Sequence, residues 1–173
     1  MGENFKYAIT YIVVMMFQML VLDNVSIMGF GTPFLYLWLI ICLPKNISPY
    51  VSLLVGFLTG AIIDLYSSTP GLHAFASTAA ALCSVKLLPL FMTENDDISH
   101  TVFVPSMKTL RIARFVNYTL IIVVLHHVLL FSLEAFSFSS FGILVLRMVS
   151  SMVFTFVLIF AIEYFRFKKK DNI

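Results

Sequence analysis

Six apolar stretches, each close to the length of a bilayer crossing, leave this chain few ways to fold. A hydrocarbon core about 30 Å thick needs roughly 20 apolar residues per helix, within a range of about 17 to 25. The stretches cover about 7–22, 25–43, 49–66, 71–92, 115–133 and 141–165, with polar or turn-forming residues between them. Hydrophobic residues are 60% and charged residues 12% of the 173, against about 45–50% and about 25% in an ordinary soluble domain. The expected fold is an all-α integral membrane protein, one domain of six transmembrane helices in a compact bundle. Gly29, Gly31 and Pro33 interrupt the second stretch, which is expected to be broken or re-entrant.

The first stretch does not read as a cleaved leader. Met1 to Lys6 carries an acid as well as a base, no small-x-small site follows Leu22, and further apolar stretches come after it. It is expected to stay as an anchor. Cys42 and Cys83 both fall inside apolar stretches, where each reads as a small buried hydrophobe and no disulfide is expected.

Charge placement orients the bundle. With six spans, Lys6, Lys45, Lys108, Arg111, Arg114, Arg166 and Lys168 to Lys170 share one face, while the turn after Asp64 and the loop from Glu134 to Ser140 carry no base. Positive loops resist translocation, so the basic face and both termini are expected to be cytoplasmic. Lys86 and Arg147 lie near opposite ends of their spans, from which their long stems can snorkel. The loop from Thr93 to Arg114 opens with Glu94, Asp96 and Asp97, and Pro105 is expected to begin a short helix that sets Lys108 and Arg111 one turn apart. That basic cluster reads as an anchor on anionic lipid, with a docking surface for a cytoplasmic protein as the other reading.

The most specific stretch is Gly56 to Ala74, G-F-L-T-G-A-I-I-D-L-Y-S-S-T-P-G-L-H-A. On a helix Gly56, Gly60 and Asp64 share a face, two bare patches of backbone and a carboxylate, which suits contact with another helix. Ser67 to Gly71, with Pro70, then stops the helix and reverses the chain. Asp64 is costly inside a span and is by default a functional candidate, although it lies near the outer end. Arg147 enters the sixth span from that side, so an Asp64 to Arg147 contact is expected, with Glu134 as the rival partner for Arg147.

His126 and His127 are adjacent and so about 100° apart on a helix, too divergent to chelate one ion as an i, i+4 pair does. They read as polar contacts inside the bundle, with Gln18 or Asn117 as partners, and His73 reads as structural. There is no Gly-x-Ser-x-Gly elbow, His-Glu-x-x-His or phosphate-cradling glycine loop. The outer face offers only Asp23, Asp64 and Glu134 as carboxylates. No catalytic activity, cofactor, metal or nucleic-acid partner is expected.

Gly56-Phe57-x-x-Gly60-x-x-x-Asp64 followed by Ser-Ser-Thr-Pro70-Gly71-Leu-His-Ala resembles the signature stretch of the MreD family, rod shape-determining membrane proteins of bacteria. Gly31-Thr-Pro-Phe34 and Glu134-Ala-Phe-Ser-Phe138 look like one branch of that family. The motif covers about a tenth of the chain; elsewhere the likeness is mostly one of hydropathy. The resemblance implies a non-catalytic inner-membrane subunit of the wall-elongation machinery. It would bind the periplasmic membrane protein MreC and support MreB, RodA and a class B penicillin-binding protein. It also implies a fold similar to the substrate-binding subunits of energy-coupling-factor transporters, which supplies the alternative: a membrane subunit that binds a vitamin-type small molecule. Likeness of fold alone does not separate the two.

Overall fold

The computed structural model describes residues 3–25, 31–93, 103–135 and 141–171, and among them every regular element is helical. Five long helices are apolar enough to cross a membrane. They are α1 (Glu3–Leu20), α3 (Pro49–Ser67), α4 (Leu72–Phe91), α5 (Ile112–Glu134) and α6 (Phe141–Asp171), with a short α2 (Tyr36–Ile41) between the first two. A 3-10 turn, Leu22–Asn24, closes α1. Residues 26–30, including Gly29, lie outside the described residues, as do Glu94, Asp96 and Asp97 and residues 136–138 of the Glu134-to-Phe138 match.

The long helices begin and end where local chemistry dictates. Pro49 occupies the first turn of α3, where its missing N–H leaves no gap. The α3–α4 turn needs Ser68 at φ 56° and Gly71 at φ 81°, left-handed conformations that end one helix and start the next. Asn24 at the end of α1 donates to the Tyr66 hydroxyl near the end of α3, at 3.0 Å. The Arg114 guanidinium near the start of α5 donates to the Phe91 carbonyl at the end of α4, at 2.9 Å. Glu134 closing α5 pairs with Arg147 early in α6. From α3 to α6 successive long helices therefore run antiparallel, α1 runs parallel to α3, and the α3–α4 turn shares one end of the bundle with Asn24, Glu134 and Arg147.

The interrupted second stretch forms the centre of this bundle. Residues 31–35 are not helical, and α2 follows for six residues. Tyr36, Leu37, Ile40 and Ile41 are fully buried and Trp38 nearly so, which fits a helix apolar on all sides. One apolar cluster joins Leu37, Ile40 and Ile41 to Leu88, Tyr118, Ile122 and Ile159; a second gathers Phe34 and Tyr36 with Met15, Ile63, Leu130 and Phe131. The outward faces of α1 and α3 are apolar as well, with Ile12, Phe17, Leu54 and Phe57 exposed as lipid-facing side chains would be.

Pro105 does not start a helix. Residues 106–109 form a single turn in which the Leu110 N–H reaches the Ser106 carbonyl at 3.0 Å. Buried Phe103, Met107 and Leu110 pin that turn to the core, so packing sets the path there.

Candidate functional site

The Gly56, Gly60 and Asp64 face of α3 lies against α4. A Cβ on Gly56 would come to 2.7 Å from both the Ala81 Cβ and the Ser77 carbonyl oxygen. One on Gly60 would press into the His73 carbonyl oxygen and lie 2.5 Å from Ala74 Cα. Only glycine lets the two backbones approach this closely.

Asp64 completes the same junction. Its Oδ1 accepts from the Thr69 hydroxyl at 2.7 Å and the His73 N–H at 3.0 Å, and Oδ2 accepts from the Ala74 N–H at 2.8 Å. The first N–H groups of a helix have no partner within it. A carboxylate at the end of α3 thus caps the start of α4, and the helix dipole favours its charge there. Pro70 and Gly71 form the turn between them.

Asp64 makes no contact with Arg147; the expected pair is replaced by the rival one. Arg147 Nη1 donates to Glu134 Oε1 at 2.7 Å, and its guanidinium sits 5.9 Å from the centre of the Phe131 ring. Asp64 has no need of a cation because three donors already reach its two oxygens.

The buried histidines also have partners other than those expected. The Tyr36 hydroxyl bridges His73 Nδ1 at 2.8 Å and His126 Nε2 at 2.9 Å, making a buried chain across three segments. His127 Nδ1 lies 2.8 Å from the Val123 carbonyl, an acceptor, so that nitrogen carries the proton. His127 Nε2 then accepts from the Thr155 hydroxyl at 3.3 Å. Gln18 instead serves the backbone: its Oε1 accepts from the N–H groups of Leu35 and Tyr36, and its Nε2 donates to the Pro33 carbonyl and to Asp23 Oδ1. Asn117 is not a partner of either histidine. His126 Nδ1 is buried without a hydrogen bond.

The sequence does not single out Tyr36 or Thr155, and it offers Asp23 only as an outer-face carboxylate. A usable signal exists for Thr155 and Ser151. A broken span at membrane depth exposes backbone groups, and hydroxyls on neighbouring spans are the natural donors and acceptors for them.

Between the α3–α4 turn and the facing ends of α5 and α6 lies a cavity of about 370 Å³. Its polar lining combines Asp23, His73, Glu134 and Arg147 with the hydroxyl residues Thr32, Ser67, Ser68, Thr69 and Ser151, and Phe34, Leu72, Leu130 and Phe131 are apolar. Among the described residues no group of three or more His, Cys, Asp or Glu is placed to hold a metal ion. No family model, curated protein or solved structure matches this chain.

Proposed function

We propose that this protein is a non-catalytic, multi-pass subunit of the bacterial wall-elongation machinery, an MreD-type scaffold in the inner membrane with both termini cytoplasmic. In this reading it binds an MreC-like periplasmic membrane protein and supports MreB, RodA and a class B penicillin-binding protein. The observation that carries it is the fold of the MreD-like stretch itself. Gly56, Gly60, Asp64, Pro70 and Gly71 act together as one junction, in which bare backbone meets backbone and a carboxylate ties the turn. Those residue types at that spacing serve close packing and need no reacting group. The buried segment 31–43 counts as the sixth crossing, and the likeness to energy-coupling-factor subunits belongs to the same proposal.

The test is depletion of the protein in its host combined with affinity purification in mild detergent. Rounding of rod-shaped cells together with recovery of an MreC-like partner is the expected result. Unchanged shape with no such partner refutes the reading. The cavity at the turn end favours one second reading, a small-molecule transporter subunit, because clefts of about 300–1,000 Å³ are the usual size of ligand pockets. That reading requires a co-purifying pair of ATPases, and their absence from the same preparation would remove it.

A further inference from the structure

We propose that the cavity at the turn end binds a neutral hydroxylated ring, a sugar, whose hydroxyls meet His73 Nε2, Thr32 Oγ1 and Glu134 Oε2. The inference rests on the cavity's own chemistry and goes beyond both cellular roles above, either of which could fail without affecting it.

His73 carries the argument. It borders the cavity and is only 7% exposed, with Nδ1 committed to the Tyr36 hydroxyl. Its Nε2 has no protein partner among the described residues and is not one of the enclosed side-chain atoms, so it faces the space beside it. The role of that nitrogen is decided two links away. With both rings neutral, the one proton of the Tyr36 hydroxyl serves one histidine, and the other histidine must donate to the Tyr36 oxygen. His126 Nδ1 is buried without a partner. A proton there would be an orphaned donor, a rarer state than an unused lone pair, so His126 carries its proton on Nε2 and donates to Tyr36. The Tyr36 hydroxyl then donates to His73 Nδ1, which leaves the His73 proton on Nε2, an N–H presented to the cavity.

The other open groups differ from it in kind. Glu134 Oε1 holds Arg147, while Oε2 has no protein partner among the described residues and can only accept. The Thr32 N–H donates to Ser151 Oγ at 3.0 Å, but the Thr32 hydroxyl has no partner among the described residues and can donate or accept. The exposed hydroxyls of Ser67 and Ser68 can do the same at the mouth. A ligand hydroxyl both donates and accepts, so a ring bearing several of them satisfies a donor, an acceptor and dual-role groups together. A ring also loses less freedom on binding than an open-chain polyol.

Charge argues for a neutral ligand. Asp23 and Glu134 bring two carboxylates to the lining and Arg147 one guanidinium, so an anion would meet net negative charge. A cation finds no unmatched carboxylate within reach, because Asp23 Oδ1 is taken by Gln18, Asp23 Oδ2 is enclosed, and Arg147 already matches Glu134. Leu72, Leu130 and Phe131 supply apolar surface for the C–H faces of a sugar ring. The cavity lies at one end of the spanning helices, where a dissolved sugar and the sugar headgroup of a lipid can both arrive.

The experiment uses the full-length protein, labelled with ¹⁵N-histidine, in lipid nanodiscs. Before any ligand is added, the nitrogen shifts of the His73 ring should report the Nε2–H tautomer. Glucose and galactose are then titrated in solution beside their uronates and 2-amino sugars, and in a second arm monoglucosyl or monogalactosyl diacylglycerol is built into the nanodisc. At least one neutral sugar should move the His73 signals saturably, with its charged counterparts about tenfold weaker or more. A response to a dissolved sugar assigns a free ligand, and a response to a glycolipid alone assigns a lipid headgroup. Thr32→Val keeps the N–H that reaches Ser151 and should weaken binding about fivefold with the melting temperature unchanged. An Nδ1–H tautomer at His73, no saturable shift with any neutral sugar, a uronate or amino sugar binding as tightly as its neutral counterpart, or unaltered affinity in a folded Thr32→Val protein would each overturn the proposal.

Discussion

Gly60→Ala replaces one hydrogen by a methyl group, and the structure puts that carbon where α4 already is. The new Cβ would lie 2.5 Å from both the nitrogen and the Cα of Ala74, which are backbone atoms that no rotamer change can move. Ordinary carbon contacts need about 3.5 Å or more, so α3 and α4 must separate locally by about 1 Å. Overpacking of this kind costs about 1–3 kcal/mol. The separation also stretches the bonds from Asp64 to the His73 and Ala74 N–H groups, now 3.0 and 2.8 Å, each worth about 1.5–3 kcal/mol as a bond to a charged group. Against this stands a helix-propensity gain of about 1 kcal/mol for alanine over glycine. The expected net loss is about 2–4 kcal/mol. Gly56→Ala should lose less, and a difference in rescue separates the two. The Gly56 clash includes the Ala81 Cβ at 2.7 Å, so Ala81→Gly should recover part of the loss, whereas Ala74→Gly should recover none at position 60. Unfolding in mixed micelles, followed by the fluorescence of the single tryptophan, buried Trp38, measures all five proteins. A Gly60→Ala protein as stable as wild type, or more stable by the propensity gain alone, would refute the close approach.

Asp64→Asn should lose about 2–3 kcal/mol in the same assay, because one carboxamide oxygen replaces two acceptors and the NH2 group confronts a backbone N–H; stability equal to wild type would mean that the carboxylate does not cap α4. Thr69→Val, which removes one of the three donors, should cost about 1 kcal/mol. For Glu134 and Arg147, a double-mutant cycle with Gln and Met should show a coupling below about 1 kcal/mol, since the pair is partly solvated. Exchanging those two charges should restore what either reversal loses, while exchanging Asp64 and Arg147 should restore nothing. Tyr36→Phe should lose about 2–4 kcal/mol, because the facing nitrogens of two buried histidines lose their partner at once.

The five long helices were legible because their ends carry explicit signals: Pro49 before one, Ser67 to Gly71 between two, and charged residues beyond the others. The stretch expected at 49–66 is Pro49–Ser67, and that expected at 115–133 is Ile112–Glu134. Gly31 and Pro33 likewise announced a break in the second stretch. They could not announce its position at the centre of the bundle, because lipid and apolar side chains impose the same hydropathy on a segment. The partners of Asp64 stayed hidden for a related reason. Charge suggests charge, and Arg147 was the available cation, but the groups that reach Asp64 are a hydroxyl and backbone N–H groups, the latter present at nearly every position. Only the turn geometry decides which of them it meets. Among the histidines, a linear spacing rule excluded shared chelation, yet it held no information about Tyr36, which lies 90 residues from His126.

The central segment explains why so many polar side chains occupy membrane depth. Residues 31–35 have left the helical ladder, and in a bilayer no water replaces the missing bonds, so each exposed backbone group needs a protein partner. Ser151 Oγ takes the Thr32 N–H, Thr155 Oγ1 takes the Phe34 N–H at 2.9 Å, and Gln18 Oε1 takes those of Leu35 and Tyr36. His127 orients Thr155 in turn, and at the other end of α2 the Trp38 indole donates to Glu163, which pairs with Arg166. These side chains have satisfied partners and a clear architectural reason to be buried. Polar residues at membrane depth are therefore not by themselves signs of transport here. What the architecture leaves over, among the described residues, is a short remainder of buried side-chain atoms without a hydrogen bond: Asp23 Oδ2, Ser77 Oγ, Thr119 Oγ1 and His126 Nδ1. Of these only Asp23 borders the cavity at the turn end, so the unpaired atoms do not gather at one site.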